Sequence, residues 1–511
     1  MHALFLGDPE RASPYSPSSR LFLNTLYIDV EQVDGFARCT QARQMAEAQR
    51  DDIERLRAQP LVDYARIATL KQAVLKEVFA DYQKQTPLGR DGAFEDEDFH
   101  RFREVHGADR LRRFAVFEAL SEHFGGAVWQ QWPEPFRDPH SREVAEFAET
   151  HHERIAFFEY LQWQADRQLG EVHRRAMGRG MAIGLYRDLA VGVDPTGADA
   201  WSEQDVVVTQ IHVGAPPDPF NMLGQDWGLP PLNPVALRDK AYEPFTAILR
   251  ANMRHAGALR IDHVMALLHL YWIPADAAAK EGVYLAYPFE DLLGILALES
   301  QRNRCMVIGE DLGTVPEGFR ERMALANVLS YRVLYFEKDG DRFKRPHEYP
   351  HLALACVTTH DLATLAGFWK GTDIELRRSL ELYPSLAAEQ SEWQGRTRDR
   401  ETLLAVLAEE KLLPHQGDEG QAASAISPEL VAAIHRYLAL SPAVLLMVQI
   451  DDLTEEDKQI NLPGTVNEYP NWRRRVSLPV EKLSAAPVTQ ALKQALRERH
   501  VPDAAQLSST G

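Results

Sequence analysis

The sequence predicts an α/β fold, a (β/α)8 TIM-type barrel with helical insertions. Three observations point there. Short, near-continuous apolar runs alternate with helical stretches, the pattern of a parallel sheet covered on both faces. Each run ends in polar or acidic residues. The alternation extends over residues 181–452. Such a span, with charges gathered at strand C-termini, favours a barrel over a doubly wound sheet.

The first 25 residues are rich in Pro and Ser ("GDPERASPYSPSSRLFLN") and read as an irregular loop. Within the start of the chain, "LNTLYIDV" (23–30) has strand character. Residues 31–175 are largely helical in period, as in "ARQMAEAQRDDIERLRAQ" and "FAETHHERIAFFEYLQWQADRQLGEVHRRAMG". The glycines after Met177 close that last helix. Six strand candidates follow: 181–193, 258–264, 304–313, 331–337, 354–361 and 443–452. After Asp262 and His263 the apolar run "VMALLHLYWIP" is expected to resume as a helix of the barrel's outer layer. The stretch 371–440 reads as a charged helical insertion before the last strand, and 501–511 as a disordered tail. The expected organisation is therefore a loop over 1–30, a helical subdomain over 31–175, the rest of the barrel over 176–500, and the tail. Six strands fall short of the eight or so that a barrel needs.

Composition narrows the function. With 511 residues, 45% of them hydrophobic, the chain can bury a large core. Its net charge is −19, from 56 basic and 75 acidic residues. That balance, with no basic tract, argues against nucleic acid or an anionic membrane as partner. Three scattered cysteines suit a reducing compartment and predict neither a disulfide framework nor a zinc site. No basic, then apolar, leader opens the sequence, and no apolar run approaches a membrane span. A cytoplasmic protein is expected.

Three strand ends carry acids: "RIDH", "GEDLG" and "THDL". Residues i and i+2 of a strand share a face, so Arg260 and Asp262 point together and His263 points away. A guanidinium beside Asp262 is expected to keep that carboxylate ionised, as a nucleophile needs. Glu310 emerges from the apolar "MVIG", a setting that raises a carboxyl pKa and suits a general acid. Asp361, beside His360, supplies a third acid. A lone Arg–Asp pair would read as a tie between strands. Acids at several barrel strand ends fit catalysis, because active sites in this fold draw residues from different strands. His151, His152 and Glu153 lack the H-E-x-x-H spacing and read as a solvated helix face. "GRGMAIG" (178–184) precedes its strand instead of following it, so it is a helix stop and no dinucleotide loop.

In order, Asp188, "RIDH", "GEDLGTVP" and "THD" resemble the four motif regions of the α-amylase clan. "VGAPPDPFNMLGQDWGLPPLNP" (213–234) and "NLPGTVNEYPNWRRR" (461–475) are more specific. They resemble the 4-α-glucanotransferases called amylomaltases or disproportionating enzymes, nearest to the bacterial maltodextrin-system subgroup. The resemblance runs from "SPYSPSSR" (13–20) to "NWRRR".

The resemblance implies roles. Asp262 would be the nucleophile, Glu310 the acid/base, and Asp361 the stabiliser of the distorted sugar. Arg260 would orient Asp262, and His360 would bind hydroxyls. Ser13 and Tyr15 match a donor-site loop. Gln225 and Trp227 match a "GQxWG" loop along the glucan groove, where an indole can stack on a sugar face. Asp188 matches the acid ending the third barrel strand, and Asp311 joins the substrate contacts. Asn461, Pro463 and Gly464 match an "NxPG" loop over the site. The implied chemistry is retaining double displacement on maltooligosaccharides and α-1,4-glucans. It expects carboxyl groups about 5–5.5 Å apart and needs neither metal nor cofactor. In the family two barrel strands precede the "SPY" loop. The chain is therefore expected to lack one to two strands, with about 150–200 further residues upstream. Rival readings are an α-glucan hydrolase with the same trio, and an inactive glucan-binding fragment.

Overall fold

Residues 2–4, 11–86, 94–217, 223–413 and 426–497 are described by the computed structural model. The chain forms two compact units, one of residues 1–59 and 63–310, the other of 60–62 and 311–511.

In the first unit, strand β1 (His2–Ala3) pairs antiparallel with β2 (Ser19–Leu23). The helices that follow include Tyr64–Gln85, Glu97–His106, Ala108–His123 and the long His152–Gly178. Side-chain caps set the starts of the first two: Asp63 accepts from Arg66 N, and Asp96 from Asp98 N and Phe99 N. Their apolar faces, with Phe94 from the segment before Glu97, share an aromatic core of Phe79, Phe99, Phe157, Tyr160 and Trp163, with edge-on ring contacts.

Next come β3 (Tyr186–Leu189), β4 (Ile211–Ala215), β5 (Gln225–Leu229), β6 (Ala258–Ile261), β7 (His269–Pro274), β8 (Val283–Ala286) and β9 (Met306–Gly309). Strands β3, β6 and β9 are parallel, with Asp188 opposite Arg260 and Arg260 opposite Ile308. All four residues of β6 are buried, as a two-sided parallel strand requires. Strands β5, β4, β7 and β8 make a separate antiparallel sheet in that order.

The second unit holds β10 (Leu329–Val333), a short hairpin of β11 (Lys338–Asp339) and β12 (Arg342–Phe343), then β13 (Ala353–Cys356) and β14 (Leu445–Met447). Strands β10, β13 and β14 run parallel. Helices Leu386–Glu409, Pro428–Ala439 and Pro487–Leu496 carry most of the remaining core.

All six expected strands are present, three in each unit, and the α/β class holds. Two local expectations do not. Residues 23–30 are not a strand beyond Leu23 but two 3-10 turns, Thr25–Tyr27 and Val30–Gln32. Asn24 and Asp29 cap them through their side chains, and the Lys71 ammonium takes the carbonyls of Leu26 (2.7 Å) and Ile28 (2.8 Å). The backbone groups a strand would use are spent locally. Likewise the run after His263 is no helix. It is a 3-10 turn, Val264–Leu267, followed by β7. Pairing with both β4 and β8 satisfies that backbone, and "HLYWIP" is rich in residues that suit a pleated surface. Strand lengths are also shorter than the apolar runs: β10 gives way to a 3-10 turn at Leu334, and β14 spans three residues. The tail 501–511 lies outside the described residues.

Gly257 lets the start of β6 approach Ile183. A Cβ there would stand 2.0 Å from the Ile183 carbonyl oxygen. Gly257→Ala is therefore expected to destabilise the first unit by at least about 2 kcal/mol, the scale of overpacking. A thermal melt checks this; an unchanged midpoint contradicts it.

Candidate active site

The first unit gathers its charges at the ends of β3, β6 and β9. Arg260 is 6% exposed. Its Nη1 donates to both carboxylate oxygens of Asp188 (2.8 and 2.9 Å), and its Nη2 lies 2.9 Å from Asp262 Oδ1. Both contacts follow from backbone geometry. Parallel register sets Asp188 beside Arg260, and alternation brings Asp262 to the same face. Burial by itself would lower the Arg260 pKa. The charges of Asp188 and Asp262, with Tyr15 and Glu310, instead hold it well above its ordinary value. Tyr15 completes the group. Its hydroxyl donates to Asp188 and accepts from Arg260 Nη1 (3.3 Å). Burial and then the Asp188 charge raise the Tyr15 pKa, so the phenol stays a donor. The loop beneath it is held by Ser13, whose Oγ accepts from Tyr15 N (3.3 Å).

Glu310, 8% exposed, follows β9 directly. Its N–H donates to Ile261 O (3.0 Å), its carbonyl accepts from Val264 N (2.9 Å), and its carboxylate accepts from His263 N (2.9 Å). The last bond depends on a kink: His263 has a left-handed backbone, φ 47°. Gly309 makes room for this turn, since a Cβ there would meet Val264 Cγ1 at 2.8 Å. The His263 ring stands 5.1 Å from Trp227, edge to face. Desolvation, with a smaller contribution from His269, lowers the His263 pKa to about 4. Trp227 is half-buried and donates from Nε1 to exposed Gln225 (3.2 Å). Part of the "GQxWG" approach, residues 218–222, lies outside the described residues.

The second unit holds the other acid. Asp361 Oδ1 accepts from Asn461 Nδ2 (2.6 Å), and Asp361 Oδ2 lies 3.3 Å from His360 Nε2. The His360 ring is 5.3 Å from Trp472. Pro463 and Gly464 are exposed beyond Asn461, and Gly464 takes φ +83°, open to glycine without strain. Asp311 sits in a different setting from Glu310 beside it. It is 3% exposed and turned inward, accepting from Arg320 Nε (2.6 Å) and Tyr331 N (2.9 Å). Its carboxylate anchors the start of β10.

Two residues escape the sequence reading. Strand alternation gives His263 only an opposite direction, yet its N–H meets Glu310 and its ring meets Trp227. The signal was its place directly after Asp262. Trp472 was visible only as part of "NWRRR". Among the described residues, no group of three or more His, Cys, Asp or Glu is placed to hold a metal ion. No described helix is long and apolar enough to cross a membrane.

Acids at the ends of parallel strands are the arrangement from which α/β enzymes of the TIM-barrel type build their sites. A family model described as 4-alpha-glucanotransferase matches residues 1–480, and the chain belongs to that family. It is 36% identical over 492 residues to the 4-alpha-glucanotransferase of Haemophilus influenzae, covering 94% of this chain and 70% of that protein. It is 38% identical over 479 residues to the 4-alpha-glucanotransferase of Mycobacterium tuberculosis, covering 91% of this chain and 62% of that one. The chain thus spans less than two thirds of the mycobacterial protein. A solved amylomaltase from Corynebacterium glutamicum superposes with a TM-score of 0.85 at 32% identity, over 97% of this chain and 69% of that one. An amylomaltase from Streptococcus agalactiae in complex with acarbose shares the fold, with a TM-score of 0.71 at 19% identity, over 97% of this chain and 90% of that one.

His263 links the site to pH. A histidine whose folded pKa lies below 6.5 contributes stability in full above that value and loses it as pH falls toward 4. The contribution is on the order of 2–3 kcal/mol after allowance for partial exposure. Denaturation midpoints across pH 4–7 should fall less steeply for His263→Gln than for the parent chain.

Proposed function

We propose that this chain transfers α-1,4-glucan segments between maltooligosaccharides by a retaining double displacement. The observation that carries the proposal is the buried Arg260 guanidinium shared by Asp188 and Asp262, one strand from Glu310. The geometry orients a carboxylate and sets a second carboxyl group beyond the neighbouring strand. Family membership supports the substrate class.

In the first step an Asp262 oxygen attacks the anomeric carbon. The glycosidic C–O bond breaks, and Glu310 gives its proton to the departing sugar oxygen. A β-glucosyl ester with Asp262 results. In the second step a sugar hydroxyl attacks that carbon from the vacated side. Glu310, now a carboxylate, takes the hydroxyl proton, and Asp262 leaves as the free carboxylate. Arg260 holds Asp262 in line, and its positive charge offsets that of the returning carboxylate. Asp361 takes the third role: it holds sugar hydroxyls and stabilises positive charge in the oxocarbenium-like state, with His360 and Asn461 fixing its orientation. Trp227 offers an indole face for a sugar ring.

The test is incubation with maltotriose. Transfer yields longer maltodextrins plus glucose with no net gain of reducing ends. A stoichiometric rise in reducing ends would instead identify a hydrolase, and binding without turnover a glucan-binding protein. Asp262→Asn should cut transfer at least about 10⁴-fold, as loss of a nucleophile does. Glu310→Gln should cut it about 10²–10⁴-fold on maltotriose. A donor with a fluoride leaving group, which needs no protonation, should restore the first step of Glu310→Gln but not of Asp262→Asn.

A further inference from the structure

The end of β14 carries polar groups that the mechanism leaves unused. Cys356 of β13 is in register with Met447 of β14. Two residues further on, the same register brings Thr358 alongside Gln449. The strands have ended there, and a side chain replaces the ladder: Gln449 Nε2 donates to the Thr358 carbonyl (2.5 Å). Thr358, 1% exposed, closes the loop that follows by donating from Oγ1 to Ala363 O (2.8 Å). Between Thr358 and Ala363 lie Thr359, His360, Asp361 and Leu362. The Asp361 loop is therefore pinned at its base by Gln449, while its carboxylate is held by Asn461.

Gln449 is itself fixed from below. It is the N-cap residue of the helical turn Ile450–Leu453. Within that turn Asp452 pairs with His435 Nε2 at 3.0 Å, and both side chains are fully buried. His435 belongs to helix Pro428–Ala439, in the core. A buried ionisable pair is weak evidence for stability, since apolar residues of similar volume often serve as well. Its place is more telling: it fixes the turn that aims Gln449.

We propose that Gln449, held by the buried His435–Asp452 pair, is a positioning residue for Asp361. This rests on the reading of Asp361 as the third functional carboxylate. A displacement of about 1 Å in a reacting group can cost 10²-fold, so the effect belongs in kcat.

The experiment is a double-mutant cycle on the full chain with maltotriosyl fluoride as donor, read as kcat, KM and thermal midpoint. Gln449→Met keeps the length and removes the donor; Gln449→Leu is the second variant. Either should lower kcat about 10- to 100-fold, with KM changed less than about threefold and an unshifted melt. Asp452→Asn should follow in the same direction. In an Asp361→Asn background, Gln449→Met should lower kcat no further, because its effect passes through that carboxylate. Near-normal kcat in both Gln449 variants would overturn the proposal. So would an effect that simply adds to that of Asp361→Asn, which marks a general structural role. If Asp361→Asn itself turns over normally, the reading of Asp361 fails, a result separate from either of these.

Discussion

The shared guanidinium of Arg260 is the constraint on which the first unit's site depends. An arginine with 6% of its surface exposed has lost most of its hydration. The penalty for such a charge is several kcal/mol. At an effective dielectric constant of 20, each carboxylate about 4 Å away returns roughly 4 kcal/mol. Two are needed to offset the burial comfortably, and Asp188 and Asp262 are those two. Neither can move without leaving a buried charge uncompensated. That is how a polypeptide holds a carboxylate still at a strand end, where the ladder no longer fixes the backbone.

The same economy of backbone explains Glu310. The chain after β6 turns sharply through a left-handed His263, a conformation that costs about 1 kcal/mol or more for a residue with a Cβ. The turn aims His263 N–H at the Glu310 carboxylate and Val264 N–H at its carbonyl. Local strain at one residue thereby orients the neighbouring strand's acid. Gly309 permits the approach, because any side chain there would collide with Val264.

Asp361 is held by a different device. An amide from Asn461 and the His360 ring meet its carboxylate, and Thr358 and Gln449 close its loop from beneath.

Much of this was written in the sequence. Strand alternation alone joins Arg260 to Asp262, because period two is a covalent property of the extended chain. The six apolar runs and the acids at their ends defined the fold class, and the motifs around them defined the family. The sequence could not show which acids face outward. Asp311 sits beside Glu310 and looks equivalent, yet Arg320 and the Tyr331 amide draw it inward. Nor could it distinguish helix from strand in "HLYWIP", where the apolar content suits both. The presence of β4 and β8 on either side decided that segment. Local periodicity determines which residues share a face. Only tertiary structure decides which partners meet that face, since register, kinks and buried counter-charges come from segments far apart in the chain.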